Sequence, residues 1–351
     1  MKVLILGGTG AMGAPLVALL KKAGYELYVT SRREMKSENN LHYIRGNAKD
    51  PTFFPSLFDK YYDAIIDFMV YSSSEFEKRV DCLLEKTKQY FFFSSSRVYA
   101  ESQKPITEDS SRLLDVCKNQ NYLQTDEYAL AKARQENLLF KSRRKNWTII
   151  RPYITYNQNR LQLGVYEKEN WLYRALAGRT IVLPKDIAKS KTSLTYGPDV
   201  ALAVMCMIGN ESTFGQAFHV VNSEILTWGE VLGIYQDVIE KKTGKRPNVK
   251  ITDSSEMLQH VWNPWQIKYD RLYDRVFDSS KAERFCGEYE YKKIRVGLEE
   301  CLSTFIDRPR WSDINWCFEA WADQECGEFT SLCEIKGLKN KVKYIKRRFI
   351  T

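Results

Sequence analysis

A tyrosine and a lysine stand four residues apart in the segment Tyr128-Ala-Leu-Ala-Lys132, which has helical character. At this spacing both side chains lie on one face of a helix, one turn apart. An ammonium ion beside a phenol favours the phenolate and lowers the pKa of the phenol, which makes it a usable proton donor or acceptor. The pattern alone is weak evidence, so its interpretation depends on the elements around it.

Three serines follow an apolar run about thirty residues upstream, in the order Phe91-Phe92-Phe93-Ser94-Ser95-Ser96. Hydroxyls at the carboxyl end of a strand face the ligand crevice of an open α/β sheet. Ordinary turn formation is the alternative explanation for serines in this position. The run therefore predicts a strand with candidate ligand-binding hydroxyls at its end.

A glycine-rich turn comes directly after the first apolar run, with Gly7, Gly10 and Gly13 between Val3–Leu6 and a helical segment. Such a turn places bare backbone N–H groups and the positive end of a helix dipole where a phosphate can approach. A Cβ at these positions would block a pyrophosphate. This context predicts a dinucleotide site rather than a plain tight turn.

Composition limits the remaining classes of function. The chain has 351 residues and 44% hydrophobic residues, enough for a substantial core. Eight cysteines form no C-x-x-C pair and three histidines lack metal-ligand spacing, so we expect no metal site. No signal peptide or membrane-spanning run is evident, which favours a cytoplasmic location. The net charge of +9 suits phosphorylated ligands, anionic membranes or nucleic acid.

Apolar runs alternate with helical patterns over the first 150 residues, which predicts βαβ crossovers and a parallel sheet. We therefore expect an α/β protein with a Rossmann-type doubly wound parallel sheet and a smaller, discontinuous C-terminal substrate lobe. The expected strands are Lys2–Leu6, Tyr25–Thr30, Leu41–Arg45, Ala64–Phe68, Tyr90–Ser94 and Trp147–Arg151. The expected domains are 1–157 with a return segment near 190–212, then 158–189 with 213–308, and a C-terminal extension 309–351.

Several landmarks in the right order give the chain its resemblance to a family. The resemblance covers about residues 1–302 and rests on Gly7/Gly10/Gly13, Asp67, Ser-Ser-x-x-Val-Tyr at 94–99, Tyr128/Lys132, Arg151-Pro152, Tyr196–Ala201 and Asp278–Ala282. On these residues the chain resembles an extended short-chain dehydrogenase/reductase of the NAD-dependent epimerase/dehydratase family. The members of this family include enzymes that modify nucleotide-activated sugars.

The resemblance implies roles for individual residues. Tyr128 would be the acid/base, Lys132 would hold the nicotinamide ribose, and Ser95 would bind the reacting oxygen. Contacts with the cofactor would come from Gly7, Gly10, Ala11, Met12, Gly13, Ser31, Arg32, Arg33, Asn47, Phe68, Met69, Ser94, Tyr128, Lys132, Pro152 and Tyr153. The cofactor would carry the hydride, and the protein would set its geometry.

Three departures from the family pattern narrow the reaction. Sugar 4,6-dehydratases have Asp-Glu where this chain has Ser96-Arg97, so dehydration is not expected. NAD-binding members usually end the second strand with an acidic residue, whereas this chain has Arg32-Arg33, which favours NADP over NAD. Many epimerases have Asn where this chain has Ile154. The candidates for substrate contacts in this chain are Ser96, Asn157 and Arg160. For Arg160, the alternative to a role in binding a substrate phosphate is an ordinary surface arginine.

The sequence thus predicts an NAD(P)-dependent 4-ketoreductase or C4 epimerase acting on a nucleotide sugar, with a homodimer as a possible assembly. An alternative is an RNA-binding or cofactor-sensing protein without turnover, because the chain also resembles atypical superfamily members related to chloroplast stem-loop RNA-binding proteins. Nucleic acid is not the favoured partner, since the Tyr128/Lys132 pair is intact.

The last segment combines an apolar stripe with many cations. Leu338, Val342, Ile345 and Phe349 recur at helical spacing between lysines and arginines. A cationic amphipathic helix can lie on an anionic membrane surface. Our hypothesis is that this segment holds the chain near membrane-bound glycan assembly. The alternative is a terminal helix packed on the body with a solvated outer face.

Overall fold

The structure, a computed structural model, describes residues 1–285 and 290–350. The strands are β1 Lys2–Leu6, β2 Glu26–Ser31, β3 Leu41–Arg45, β4 Tyr62–Asp67, β5 Thr87–Phe93, β6 Trp147–Pro152, β7 Thr155–Tyr156, β8 Ile181–Pro184, β9 Lys191–Thr192, β10 Thr195–Tyr196, β11 Gln216–Val220, β12 Leu226–Thr227 and β13 Val249–Thr252. The α-helices are α1 Gly13–Lys22, α2 Ser73–Glu77, α3 Val80–Glu85, α4 Leu113–Val116, α5 Gln120–Leu123, α6 Tyr128–Lys141, α7 Lys168–Leu176, α8 Lys185–Lys189, α9 Gly197–Met207, α10 Trp228–Thr243, α11 Pro264–Gln266, α12 Ser280–Glu283, α13 Ile294–Asp307, α14 Trp316–Cys326 and α15 Leu338–Phe349.

Seven strands form one sheet in the order β11-β6-β5-β4-β1-β2-β3, with every neighbouring pair parallel. Val3 to Leu6 of β1 are fully buried, as expected for a strand with helices on both faces. The strand order reverses between β1 and β4, the point where open α/β sheets bind their ligands. The predicted Rossmann-type parallel sheet is confirmed, and its six predicted strands lie within three residues of the observed bounds.

The chain divides into two compact units. Unit 1 contains Met1–Thr155, Ser193–Ser223 and Val276–Lys292, and unit 2 contains Tyr156–Thr192, Glu224–Arg275 and Lys293–Thr351. The prediction that 213–308 lies wholly in the smaller lobe is wrong for β11, which pairs with β6 and extends the sheet of unit 1. The predicted C-terminal extension 309–351 is not a separate domain, because it belongs to unit 2.

A cluster of buried charges organises the C-terminal part of unit 2. Arg174 of α7 is fully buried, and its guanidinium pairs with Glu319 and Asp323 of α14 at 2.9 and 2.8 Å. Glu328 is a third carboxylate at 2.8 Å. Buried charges persist only when they are paired, so this Arg174 cluster fixes α14 against α7. Among the described helices, none combines the length and apolar character that a bilayer crossing requires.

Candidate dinucleotide and proton-transfer site

The three glycines of the first turn serve different purposes. Gly7 has φ +73°, in the region that favours glycine, and its N–H donates to Thr30 Oγ1 at 3.0 Å. A Cβ on Gly13 would lie 2.7 Å from the backbone of Gly8, so Gly13 allows α1 to begin against the turn. A Cβ on Gly10 would meet no heavy atom within 4 Å. The space above Gly10 is therefore open to a ligand.

This open space belongs to a cleft of about 430 Å³ at the carboxyl ends of β1, β2 and β4. Its lining includes both charged and apolar side chains, together with the backbone of the glycine turn. The lining residues are Gly7, Thr9, Gly10, Thr30, Ser31, Arg32, Gly46, Asn47, Ala48, Lys49, Phe68, Met69 and Val70. The open position at Gly10, at the start of a helix and at the switch point of the sheet, fits the diphosphate of a dinucleotide.

The end of β2 presents hydroxyls and cations to this cleft. Ser31 is buried, and its Oγ accepts from the N–H of Arg33 at 3.1 Å. Arg32 lines the cleft, and Arg33 is exposed beside it. The nearest carboxylate in the sequence, Glu34, pairs with Arg45 at 3.4 Å. A guanidinium with planar donors suits a phosphate better than a ribose diol.

Tyr128 and Lys132 occupy the first two turns of α6. The Glu127 carboxylate caps this helix by accepting from the N–H of Ala129 at 2.9 Å. Tyr128 is half-buried, whereas Lys132 is 2% exposed. The Lys132 ammonium lies 3.4 Å from the carbonyl oxygen of Met69 and 4.6 Å from the centre of the Phe92 ring. The predicted pair therefore shares one helix, and its lysine contacts a residue that lines the cleft.

Burial changes the titration of two groups beneath the cleft. It lowers the pKa of Lys132 to about 8, against the opposing pull of Asp67 and Glu136. It raises the pKa of Asp67 to about 6, although that carboxylate accepts from Met69 N–H and from the Tyr90 hydroxyl, each at 2.9 Å. Both charges are thus held where desolvation disfavours them, a condition common at functional sites.

Arg97 connects the serine turn to the tyrosine. Its guanidinium pairs with Glu127 at 2.6 Å and lies 5.3 Å from the centre of the Tyr128 ring. The backbone N–H of Arg97 donates to the Oγ of Ser95 at 3.2 Å. The Arg97 side chain therefore lies at Tyr128, and its backbone holds the Ser95 hydroxyl two residues earlier. The neighbouring Ser94 hydroxyl is buried and has no hydrogen-bond partner within residues 1–285 and 290–350.

The remaining predicted cofactor contacts are placed as follows. Ala11 and Met12 precede α1, and Met12 packs partly on the core. Phe68 follows β4, with its ring 4.2 Å from that of Phe93, and Asn47 Oδ1 accepts from Lys49 N–H at 3.1 Å beside the cleft. Pro152 ends β6, and the buried Tyr153 ring lies 5.2 Å from Phe277.

Of the three substrate candidates, Ser96 belongs to unit 1, whereas Asn157 and Arg160 belong to unit 2 and share two backbone hydrogen bonds of 3.1 and 3.0 Å. Ser96 is fully buried and donates to the carbonyl oxygen of Arg151 at 2.8 Å, so it is no longer a substrate candidate. Asn157 belongs to unit 2, where its side chain accepts from Asn159 N–H at 2.8 Å. Arg160 pairs with Glu167 at 3.4 Å, which agrees with the surface alternative.

The structure adds three residues to the site that the sequence pattern does not predict. Thr30 accepts from the glycine turn, Lys49 lines the cleft, and Glu127 holds Arg97. Thr30 could have been identified from the sequence, since it is the last residue of the predicted second strand. Lys49 and Glu127 have no such signal, because their partners are distant in the sequence.

The fold and the cleft define a dinucleotide-binding protein of the extended short-chain dehydrogenase/reductase type. The model of the NAD dependent epimerase/dehydratase family matches residues 3–221, and the chain belongs to this family. Its members depend on a nicotinamide dinucleotide.

The individual relatives are more distant. The chain is 26% identical over 244 residues to the chloroplast stem-loop binding protein of 41 kDa b from Arabidopsis thaliana, and the match covers 65% of this chain and 60% of that protein. An epimerase from Methanothermobacter thermautotrophicus aligns with TM-score 0.68 and 17% identity, over 87% of this chain and 92% of the other. UDP-glucuronic acid 4-epimerase from Bacillus cereus, in complex with UDP-glucuronic acid and NAD, aligns with TM-score 0.65 and 18% identity, over 88% and 100%.

Proposed function

We propose that the chain transfers a hydride at a ring carbon of a nucleotide-activated sugar, with NADP preferred over NAD, as a 4-ketoreductase or a C4 epimerase. The observation that carries this proposal is the half-buried Tyr128 phenol, one turn from the buried Lys132 and beside Arg97 and the Ser95 turn. Family membership supports it, as does the relative of known structure with bound UDP-glucuronic acid and NAD. Polysaccharide biosynthesis would consume such a product.

Each of the three side chains has a separate task in this proposal. The Tyr128 hydroxyl exchanges a proton with the oxygen on the reacting ring carbon, and the Ser95 hydroxyl hydrogen-bonds that same oxygen. Lys132 holds the ribose hydroxyls from below, and its ammonium, together with the Arg97 guanidinium, favours the phenolate. The dinucleotide, when bound, supplies or accepts the hydride.

The contacts of Arg97 argue against a 4,6-dehydratase. Water elimination requires an acid and a base at the two positions after Ser95. Ser96 is turned into the core, and Arg97 is a cation that pairs with Glu127. Neither side chain is suited to take a proton from a sugar carbon, which supports hydride transfer without dehydration.

The choice between the two cofactors rests on Arg32. Its place in the cleft lining suits the 2′-phosphate of NADP, while Glu34 pairs with Arg45 rather than standing at the end of β2. A reductase exchanges NADPH for NADP in each turn, whereas an epimerase retains its cofactor. The arginine therefore tilts the proposal toward the reductase.

The experiment combines cofactor and product. The purified chain is analysed by mass spectrometry for a retained dinucleotide. It is then assayed with UDP-4-keto sugars plus NADPH or NADH, and separately with UDP-sugars of one C4 configuration without added NADPH. Stoichiometric NADPH loss with reduction of the 4-keto group to a 4-hydroxyl supports the reductase, and interconversion of the C4 epimers without added NADPH supports the epimerase. A chain that binds neither dinucleotide, or that forms the 4-keto-6-deoxy sugar, contradicts the proposal.

A second candidate is RNA binding or cofactor sensing without turnover, because the Arabidopsis relative is a stem-loop binding protein. Affinity for a stem-loop RNA that falls steeply with salt, in a chain without sugar turnover, would favour it. The homodimer remains a prediction, and the contact of 338–349 with a membrane is a separate proposal.

A further inference from the structure

Helix α15 is attached to unit 2 through one face. Tyr344 is its one buried residue among those described, and the phenol donates to Asp323 at 2.6 Å and accepts from Thr330 N–H at 2.9 Å. On the same side, Arg348 donates to the carbonyl oxygen of Glu328 at 3.2 Å. These contacts fix the rotation of the helix about its axis and so determine which residues face outward.

The outward face is apolar. Leu338, Val342, Ile345 and Phe349 follow one another at spacings of four, three and four residues, which places them on one stripe of the helix. They are 78, 55, 36 and 63% exposed. Phe329, itself 54% exposed, extends this stripe, with its ring 6.4 Å from that of Phe349. The helix is thus packed on unit 2 through Tyr344, and the outer face that it leaves exposed carries apolar residues.

Cations border the apolar stripe on both sides. At 100° per residue, Lys339, Lys343 and Lys346 lie on one side of the stripe, and Lys341 and Arg348 lie on the other. Helix α15 contains no aspartate or glutamate. An apolar stripe between two rows of cations is the arrangement of helices that lie in the plane of a membrane interface.

We propose that the outward face of α15, together with Phe329, docks on the surface of a bilayer that contains anionic lipids. The apolar side chains enter the acyl boundary, while the flanking lysines reach the phosphates of the headgroups. A second copy of this chain would bring one cationic helix against another, so like charges oppose self-association through this face. Nucleic acid would satisfy the lysines but would leave the apolar stripe in water.

The test measures co-sedimentation of the full chain with vesicles made of equal parts phosphatidylglycerol and phosphatidylcholine, and with vesicles of phosphatidylcholine alone. We expect binding to the anionic vesicles that weakens as salt rises. The triple variant Lys339→Gln/Lys343→Gln/Lys346→Gln should bind about a hundredfold more weakly. The apolar variant Leu338→Gln/Val342→Gln/Phe349→Gln should lose about tenfold or more.

Matched controls change the same residue types elsewhere. Lys78→Gln/Lys118→Gln/Lys141→Gln removes three exposed charges from unit 1, and Val116→Gln/Val296→Gln/Met257→Gln alters three apolar residues that are also exposed. Both control variants should keep full vesicle binding. The substituted side chains of α15 are exposed and Tyr344 is untouched, so circular dichroism and thermal unfolding should match the parent chain.

Three results would overturn the proposal. These are no binding to anionic vesicles, equal loss in the control variants, and full binding by the apolar variant. A stem-loop RNA is added as a separate arm. RNA binding that needs the α15 lysines but not its apolar residues, without vesicle binding, would assign the face to nucleic acid instead.

Discussion

The cofactor cleft of unit 1 and the Arg174 cluster of unit 2 employ arginine in opposite ways. In the cluster, the guanidinium is fully buried and meets three carboxylates within 2.9 Å. In the cleft, Arg32 is exposed, and the same lining includes Gly10, where the space is open. The charges of the cluster therefore pair with one another and build structure, whereas Arg32 is a charge with which an incoming anion can pair.

The largest effect on stability is expected from Arg174→Met. Removal of the guanidinium leaves buried carboxylates without their counter-charge, and the free energy of unfolding should fall by about 3–5 kcal/mol. Urea unfolding followed by circular dichroism measures this change. The matched control is Arg246→Met, which breaks an exposed pair with Asp237 and Glu240 and should change stability little. Equal losses of stability in both variants would contradict a special structural role for the buried Arg174.

Two glycines of one turn should separate stability from binding. Gly13→Ala forces a Cβ against the Gly8 backbone and should cost about 1–3 kcal/mol of unfolding free energy. Gly10→Ala adds a Cβ in open space, so it should leave stability unchanged and weaken dinucleotide binding about tenfold. Thermal unfolding and calorimetric titration with NADPH measure the two quantities. Unchanged NADPH affinity in Gly10→Ala would show that the cleft does not receive the diphosphate.

The arginine of the cleft should discriminate between the two cofactors. We expect Arg32→Ala to weaken NADPH binding about tenfold and to leave NADH binding nearly unchanged, because only NADPH carries the 2′-phosphate. Fluorescence titration with both nucleotides gives the ratio. The neighbouring exposed arginine provides a control in Arg33→Ala, for which we expect a smaller change. Loss of both nucleotides to the same extent would remove the argument for NADP.

A pH dependence of stability is expected from the two charged groups beneath the cleft. The folded pKa of Asp67, about 6, lies above its ordinary 3.8, so the folded state holds this proton more tightly. Stability should therefore fall as pH rises between these values, by at most about 1.4 kcal/mol per pH unit. The folded pKa of Lys132, about 8, lies below its ordinary 10.5, so stability should recover as pH rises between those values.

Variants assign these two slopes. Asp67→Asn should abolish the slope on the acid side, and Lys132→Met the slope on the alkaline side, both measured by urea unfolding at a series of pH values. Slopes that persist in these variants would mean that other groups carry the titration.

The sequence predicts the sheet well where its signals are local. The first six strands are short apolar runs between turns, and their parallel order follows from the helices between them. Strand β11 was missed as part of the sheet because its partner β6 lies more than sixty residues upstream, and no local pattern identifies that pairing. The same applies to residues 276–292, which return to unit 1 late in the chain.

The site shows the same limit. The spacing of Tyr128 and Lys132 is a local signal, and the structure places both on α6. The sequence does not distinguish the three adjacent serines. In the structure, the turn at Ser96–Val98 directs the Ser96 hydroxyl into the core, whereas the Ser95 hydroxyl accepts from the backbone N–H of Arg97. The contact between Arg97 and Glu127 joins residues thirty positions apart, and only the folded chain reveals it.

The most direct test of the account is Tyr128→Phe, with sugar turnover and NADPH affinity measured on the same preparation. Loss of the phenolic proton should lower turnover by about 10²–10⁴-fold, while NADPH affinity stays within about twofold of the parent chain. The control Tyr61→Phe changes an exposed phenol of unit 1 and should leave both quantities unchanged. Full turnover in Tyr128→Phe would contradict a proton transfer by this residue.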